Sequence, residues 1–392
     1  MDIRKIAVLP IVLLMLMTPI AFAAVANTNT DAQASSGGSA TASSDATAEN
    51  SGTANADSHA VGTEGGDAES YSLAIAADGG NADATTYSTA KNDGDATSVA
   101  ASLAVGTGAT ATSEADTNAN GAGAQANAGA MSVAVGKNAN AEANAEADAN
   151  CNDDCVANAG AGAMAIGKNA DAEANSDAVA RDSDSSATAL SMAWALDEGA
   201  KADANAQSLA TNGGTAEALS WAEAYDEYGT ADSATVARAN GNAYASSTVM
   251  TAAGEDSIAQ AYMNTDADAT HSAEAVAIGV MTASADPSGG QTNAYVLKMA
   301  ATNSAKAKAT AEVNAMSYTN AGGTPAAGIV IMGADVFATG YHSLAIETID
   351  ADARSSHHSP DYVNIVVNDY VQGIGHAAAD VYAWANHLYA MR

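Results

Sequence analysis

Phenylalanine is nearly missing from this chain of 392 residues: there are two, beside three tryptophans and five prolines. Leu, Ile, Val and Phe number 13, 14, 23 and 2, a share below the ~20% that ordinarily builds a globular core. Basic residues are also scarce, 13 Lys and Arg against 46 Asp and Glu, so the formal charge is −33. The first shortage argues against an enzyme with a thick aromatic core. The second argues against a nucleic-acid partner, because polyphosphate is drawn to clustered cations. What is abundant is alanine, which supplies most of the 47% counted as hydrophobic. Two options are left: a disordered chain, or a repeat whose thin core is made of small side chains.

The amino-terminal segment 1–23 reads as a secretory signal peptide. Arg4 and Lys5 precede an apolar stretch from Ile6 to Met17, followed by Ala21-Phe22-Ala23. Pro10 interrupts the run, which is short of the ~20 residues a membrane span requires, and no later run reaches that length. The expectation is a secreted or cell-surface chain with no transmembrane anchor of its own. Cys151 and Cys155, in Cys-Asn-Asp-Asp-Cys, are expected to form a local disulfide in such an oxidising setting. A metal site with Asp153 and Asp154, and a bridge between neighbouring chains, are the alternatives. Zinc ordinarily needs a second ligand pair, which is not nearby.

Self-similarity settles the class. Ser72-Leu73-Ala74-Ile75-Ala76 recurs as Ser102-Leu103-Ala104-Val105-Gly106 and Ser132-Val133-Ala134-Val135-Gly136. It returns as Ala163-Met164-Ala165-Ile166-Gly167 and Ser191-Met192-Ala193-Trp194-Ala195, a spacing near 30 residues. Beyond the motif, Gly136-Lys137-Asn138-Ala139 matches Gly167-Lys168-Asn169-Ala170. Between motifs alanine occupies every second position from Ala139 to Ala149. Alanine favours helix, but period two gives a helix no face and gives a strand one apolar side.

Each unit holds two alternating runs and is read as two coils of about 15 residues, with alanines and one Leu, Val, Ile or Met per motif pointing inward. About nineteen such coils over 61–350, at ~4.8 Å each, make a rod of about 90 Å. So thin a roll buries little apolar area, and self-association is expected to cover the exposed motif positions.

Ser-(Leu/Val)-Ala-(Ile/Val)-Gly followed by Lys-Asn-Ala-x-Ala resembles the head repeat of YadA-like trimeric autotransporter adhesins. The resemblance is clearest over 72–195. It implies an all-β, left-handed parallel β-roll, a homotrimer, and attachment to an unknown surface ligand. That family carries a heptad-rich stalk and a barrel anchor; here no sustained heptads occur and the sequence finishes Ala390-Met391-Arg392. The resemblance is thus to the head alone.

The expected organisation is a low-complexity flexible leader at 24–60, with degenerate first coils as the alternative. The roll follows over 61–285, a degenerate continuation over 286–350, and a C-terminal element over 351–392. In that element Val363, Ile365, Val367 and Val371 share one face of a strand, and Val381, Trp384, Leu388 and Met391 fall at near-helical spacing. It is read as a cap, or as an assembly strand joining copies into an extracellular filament.

No catalytic constellation, cofactor or metal motif stands out. His342, His357, His358, His376 and His387 fit no ligand pattern. Asp182-x-Asp184, Asp266-x-Asp268 and Asp350-x-Asp352 lack the glycine and distal Glu of a calcium loop. They read as solvated turns, and carboxylates in this number allow weak calcium binding at most. The function expected is non-enzymatic: a surface adhesin or extracellular structural element. The charge should hold copies apart unless salt or divalent cations screen it.

Overall fold

In Asn140–Asn150 the alanines at 141, 143, 145, 147 and 149 are buried, while the Asn, Glu and Asp between them are partly or fully exposed. Successive side chains of an extended strand point to opposite faces, so alternation overrides the helical preference of alanine here. The same alternation runs through the strands from Ala40–Ala48 to Lys201–Ala210. A computed structural model describes residues 25–387, apart from short stretches at 36, 50–51, 152–153, 182–184, 212–214, 226–229, 242–243, 254–257, 270–273, 286–290, 303–307, 321–326, 339–343, 357–361 and 374–375, with side chains as far as Arg238. The segment 1–23, read as a signal peptide, lies outside the described residues.

Among the described residues twenty-four strands alternate between two parallel sheets of twelve. The chain is therefore an all-β parallel solenoid, with no helix among the described residues. The first sheet begins with Val25–Ala34, Thr53–Gly62 and Asn81–Lys91 and the second with Ala40–Ala48, Ala68–Ala76 and Ala96–Val105. With twelve strands per sheet, a ~4.8 Å step gives a height of about 53 Å, and strands of about 11 residues give a width of about 35 Å. The molecule is a thin plate.

One coil is a whole unit of about 30 residues, which corrects the expected 15-residue coil and the 90 Å rod. Asn140 lies opposite Asp171, 171 − 140 = 31 residues along, and Val156 opposite Ser186, 186 − 156 = 30. The physical reason is that the two alternating runs of a unit have different outward sides. A 30-residue coil stacks Asn144 on Asn175 on Asn205 in one sheet and Met164 on Trp194 in the other. A 15-residue coil would set amides and carboxylates against apolar side chains at every step.

Among the described side chains the interior is built of alanine, serine and threonine with Cys151 and Cys155, and the largest fully buried ones are Thr86 and Thr117. The two sheets approach so closely that serines of one reach backbone carbonyls of the other. Ser58 donates to the Tyr71 carbonyl at 2.9 Å, Ser98 to that of Asp116 at 2.6 Å and Ser113 to that of Met131 at 2.7 Å. These bonds satisfy hydroxyls that would otherwise cost ~1–3 kcal/mol each to bury. Each alanine methyl contributes only on the order of 0.8 kcal/mol, so stability depends on many repeats and an unbroken backbone ladder.

Turns stack as the strands do. Gly106, Gly136 and Gly167 adopt φ of 129°, 147° and 137°, and their amides donate to Val135, Ile166 and Leu196 of the next coil at 2.7, 2.7 and 2.9 Å. A Cβ on Gly136 would collide with the Gly106 carbonyl, and one on Gly167 with that of Gly136. Two residues on, Asn138 and Asn169 take φ of 55° and 54°, a left-handed conformation that asparagine tolerates. That is the structural meaning of Gly-Lys-Asn-Ala.

Three further expectations are corrected. The segment read as a leader, with degenerate first coils as the alternative, forms strands Val25–Ala34, Ala40–Ala48 and Thr53–Gly62; buried alanines and serines of the second and third meet the same thin interior, and Ala26, Ala32 and Ala34 of the first are partly buried against it. Val381 and Trp384 of the near-helical spacing lie on a strand, His376–His387, held by parallel pairing with Leu344–Ser356, while Leu388 and Met391 lie outside the described residues. Asp266 and Asp268 are within Ile258–Ala269, and Asp350 and Asp352 within Leu344–Ser356, so both pairs lie on strands and not in turns. Residues 182–184 lie outside the described residues.

Candidate functional site

Because a parallel ladder keeps register, every outward column of the plate is a stack of side chains one coil apart. The motif residues expected inside the roll stand on the outside of it. Ser102 and Ala104 are buried, while Val105, Val99 and Met131 are 38%, 40% and 40% exposed. Large side chains cannot enter an interior whose width is set by alanine, so only Ser and Ala of the motif go in.

The outer face of the second sheet is accordingly apolar. One column runs Leu73, Ala101, Met131, Gly162, Met192, Trp221, and the next runs Ile75, Leu103, Val133, Met164, Trp194. The outer face of the first sheet is its opposite. The four strands Thr110–Asn120, Asn140–Asn150, Asp171–Arg181 and Lys201–Ala210 carry nine carboxylates, whereas their partners in the second sheet carry two, Glu217 and Glu223.

On that acidic face the amides form a ladder. Asn175 donates to Asn144 Oδ1 at 3.0 Å, and Asn205 donates to Asn175 Oδ1 at 3.0 Å. Beside it runs a shallow groove of about 370 Å³, walled on one side by Asp116, Glu146 and Asp177 and on the other by the asparagine column, which Glu114 continues below Asn144. Burial, and then the charges of Glu114 and Asp148, push the Asp116 carboxyl above the usual carboxylate range. Burial followed by Asp116 and Asp148 does the same to Glu146. Asp177 is raised by burial, Glu146 and Asp148, with Arg181 opposing. Arg181 Nη1 meets both Asp148 oxygens, at 2.8 and 2.7 Å, and so partly neutralises one edge of the stack. The groove is a place where charge accumulates; among the described residues no three His, Cys, Asp or Glu side chains are grouped to hold a metal ion.

Cys151 and Cys155 are joined in a disulfide within the chain, with Cα atoms 5.7 Å apart. Both are buried, and they sit at the corner where Asn140–Asn150 ends and Val156–Ile166 begins. The bridge closes one corner of one coil. In the next coil the same corner is held without sulfur, by Ser185 Oγ donating to the Thr211 carbonyl at 2.9 Å.

Val363, Ile365, Val367 and Val371 lie in Tyr362–Gly373, the last strand of the first sheet, and pair with Gly328, Val330, Met332 and Val336. One edge of that strand is thus engaged within the chain itself. His376 and His387 are the first and last residues of the final strand; His342, His357 and His358 lie outside the described residues.

No protein-family profile and no curated protein matches the chain. A solved structure of a TibC-catalysed, hyper-glycosylated TibA fragment aligns over 92% of this chain and 100% of its own, at 10% identity and a TM-score of 0.15, a slight likeness.

Proposed function

We propose that the chain is a secreted, non-enzymatic β-solenoid of the surface-adhesin kind, displayed outside the cell as a self-associating structural plate. The observation that carries this reading is the division between the two outer faces. Hydrated carboxylates and amides cover one side, and a broad apolar surface of Leu, Val, Met and Trp covers the other. Contiguous apolar surface of this extent marks an interaction site, while regularly spaced polar columns suit repeated weak contacts with an extended surface. The signal-like segment 1–23 and the likeness of the motif to adhesin head repeats support the extracellular setting.

The test is to express residues 24–392, weigh the product by light scattering, and view it by negative stain. Latex beads coated with it are then offered to amine-bearing, carboxylate-bearing and apolar surfaces. Oligomeric plates about 50 Å tall that hold beads to one surface class support the reading. A monomer that retains beads on none overturns it.

A second reading has its own observation. Tyr362–Gly373 is the terminal strand of its sheet and presents an edge, through which copies could join end to end into filaments. Deleting 361–392 abolishes filaments under this reading and leaves discrete oligomers under the first.

A further inference from the structure

Glycine is disfavoured inside strands, and where it persists there it often marks the close approach of another body. Gly160 and Gly162 stand on the outer face of Val156–Ile166, and a Cβ at either would meet nothing within 4 Å. Gly129, one coil earlier on the same face, would touch only the Ser98 carbonyl at 4.0 Å. None of the three has positive φ. Neither backbone conformation nor packing within the chain requires them to be glycine.

Their neighbours one coil further along are large. Gly160 is followed in register by Leu190 and then Leu219, and Gly162 by Met192 and then Trp221. In the column of Gly160 a hollow of two coils, Gly129 and Gly160, is therefore continuous with a ridge of two, Leu190 and Leu219; in the column of Gly162 the hollow is one coil deep, between Met131 and Met192. We propose that a second copy of this chain docks face to face on the second sheet. The two-fold axis runs parallel to the strands, between Val156–Ile166 and Ser186–Leu196. This deepens the self-association proposed above.

A rotation about that axis keeps each residue in its own column and reverses the order of coils. Gly160 then faces Leu190 of the second copy, Gly162 faces Met192, and Gly129 faces Leu219, with every contact made twice, as an isologous interface demands. A three-fold axis along the solenoid, the arrangement implied by the resemblance to trimeric heads, would bring each coil to the level of its own counterpart. Gly160 and Gly162 would then meet other residues of their own coil, and Leu190 and Met192, one coil away, would not reach the hollow.

Charge and area name the occupant. The opposite face of the same coils carries nine carboxylates, so two chains of charge −33 approach with least repulsion through this one. Four strands at ~4.8 Å spacing and about 36 Å length offer about 700 Å² per copy, and one more strand on each side takes this to about 1,000 Å². A stable pair needs about 800 Å² per partner. Two carboxylates fall within the four strands: Glu217 comes opposite the amide of Asn127, and Glu223 opposite Val133.

The experiment measures the mass of full-length mature chain and variants by light scattering, with circular dichroism and thermal melting as the check on folding. Gly162→Met is expected to fold normally, because its side chain enters open space, and to weaken pairing at least tenfold. Met192→Gly should also weaken it. The double variant Gly162→Met/Met192→Gly exchanges knob and hole across the axis and should restore the pair. Glu223→Gln should tighten it. In a cross-linking arm with a short bismaleimide, Gly129→Cys/Leu219→Cys should give covalent dimers while Leu219→Cys alone does not. Trimers, or self-linking of Leu219→Cys alone, would overturn the two-fold arrangement, and so would Gly162→Met pairing as well as wild type. A chain that holds beads to a surface yet stays monomeric overturns the pairing and leaves the surface reading standing.

Discussion

Asp197 occupies in its turn the place that Gly167 occupies one coil earlier. Both follow the last residue of a strand in the second sheet, and the amide of Gly167 donates to the Leu196 carbonyl beside Asp197 at 2.9 Å. Gly167 takes φ of 137° and Asp197 takes 105°, a region costly to a residue with a Cβ. The aspartate recovers part of that cost by accepting a hydrogen bond from the Glu198 amide at 2.8 Å. Asp197→Gly is therefore expected to stabilise the solenoid by about 1 kcal/mol, read from the urea midpoint. Gly136→Ala should do the reverse and cost more, since its Cβ would collide with the Gly106 carbonyl. Equal midpoints for wild type and both variants would remove the stacked turns from the account of stability.

Acidification should stabilise the fold. Asp83, Asp116, Glu146, Asp171, Asp177, Asp203 and Asp232 are all raised above their ordinary range, with burial the largest cause in each. A carboxyl whose pKa is higher folded than unfolded binds protons preferentially in the folded state. Its effect then favours folding most below the unfolded value, and stability declines as pH rises through the raised folded value. The midpoint of urea unfolding should thus fall as pH rises from the ordinary carboxylate range through the raised folded values, opposite to the usual acid denaturation. Glu146→Gln should raise stability at pH 7 and flatten that slope. Because these groups are about half exposed, added salt should shrink the difference. A midpoint that rises with pH across this window would contradict the prediction.

The disulfide should matter modestly and locally. Closing so short a loop between Cys151 and Cys155 restricts the unfolded chain by about 2 kcal/mol in the loop-entropy picture. The next coil holds the same corner with the Ser185 hydroxyl instead. Cys151→Ala/Cys155→Ser should therefore remain folded, lose no more than about 2 kcal/mol, and keep the same oligomeric mass. A loss of folding would mean that this corner nucleates the stack.

The repeat and the strands were legible because period two and the 30-residue recurrence are written in the residues themselves. Gly106, Gly136 and Gly167 with their following Asn or Gly announce the turns. Which side of a strand faces in was harder to see, because alanine and the larger apolar residues alternate within one motif and either set could form a core. Serine decides it: Ser98 and Ser113 reach the opposite sheet's carbonyls only if the interior is two small side chains thick, and that excludes Val99 and Met131. The same fact doubles the coil, since two short coils would have needed one shared outer surface. Beyond Arg238 composition drifts toward larger residues, yet the pairing of Ala327–Ala338 with Tyr362–Gly373 keeps the parallel rule. Residues 24–60 read as a leader for want of large residues, which this interior does not use; the strands there fit the alternative, degenerate first coils.

The amide ladder supplies the last prediction. Asn175 donates to Asn144 and to Glu173 Oε1, at 3.0 and 2.9 Å, and accepts from Asn205 at 3.0 Å. Asn175→Ala leaves Asn144 and Asn205 able to turn to water, because the column lies on the outer face, so its cost should be about 1 kcal/mol. Asn175→Asp removes both donated bonds and adds a negative charge beside Glu173, in a groove already walled by Asp116, Glu146 and Asp177. At pH 7 it should cost more than the alanine variant, by about 1 kcal/mol at close like-charge spacing in a half-screened setting. At pH 4 protonation returns a donor, and the two variants should change order. If Asn175→Asp remains as stable as Asn175→Ala across the whole range, the groove carries less accumulated charge than the stacked carboxylates imply.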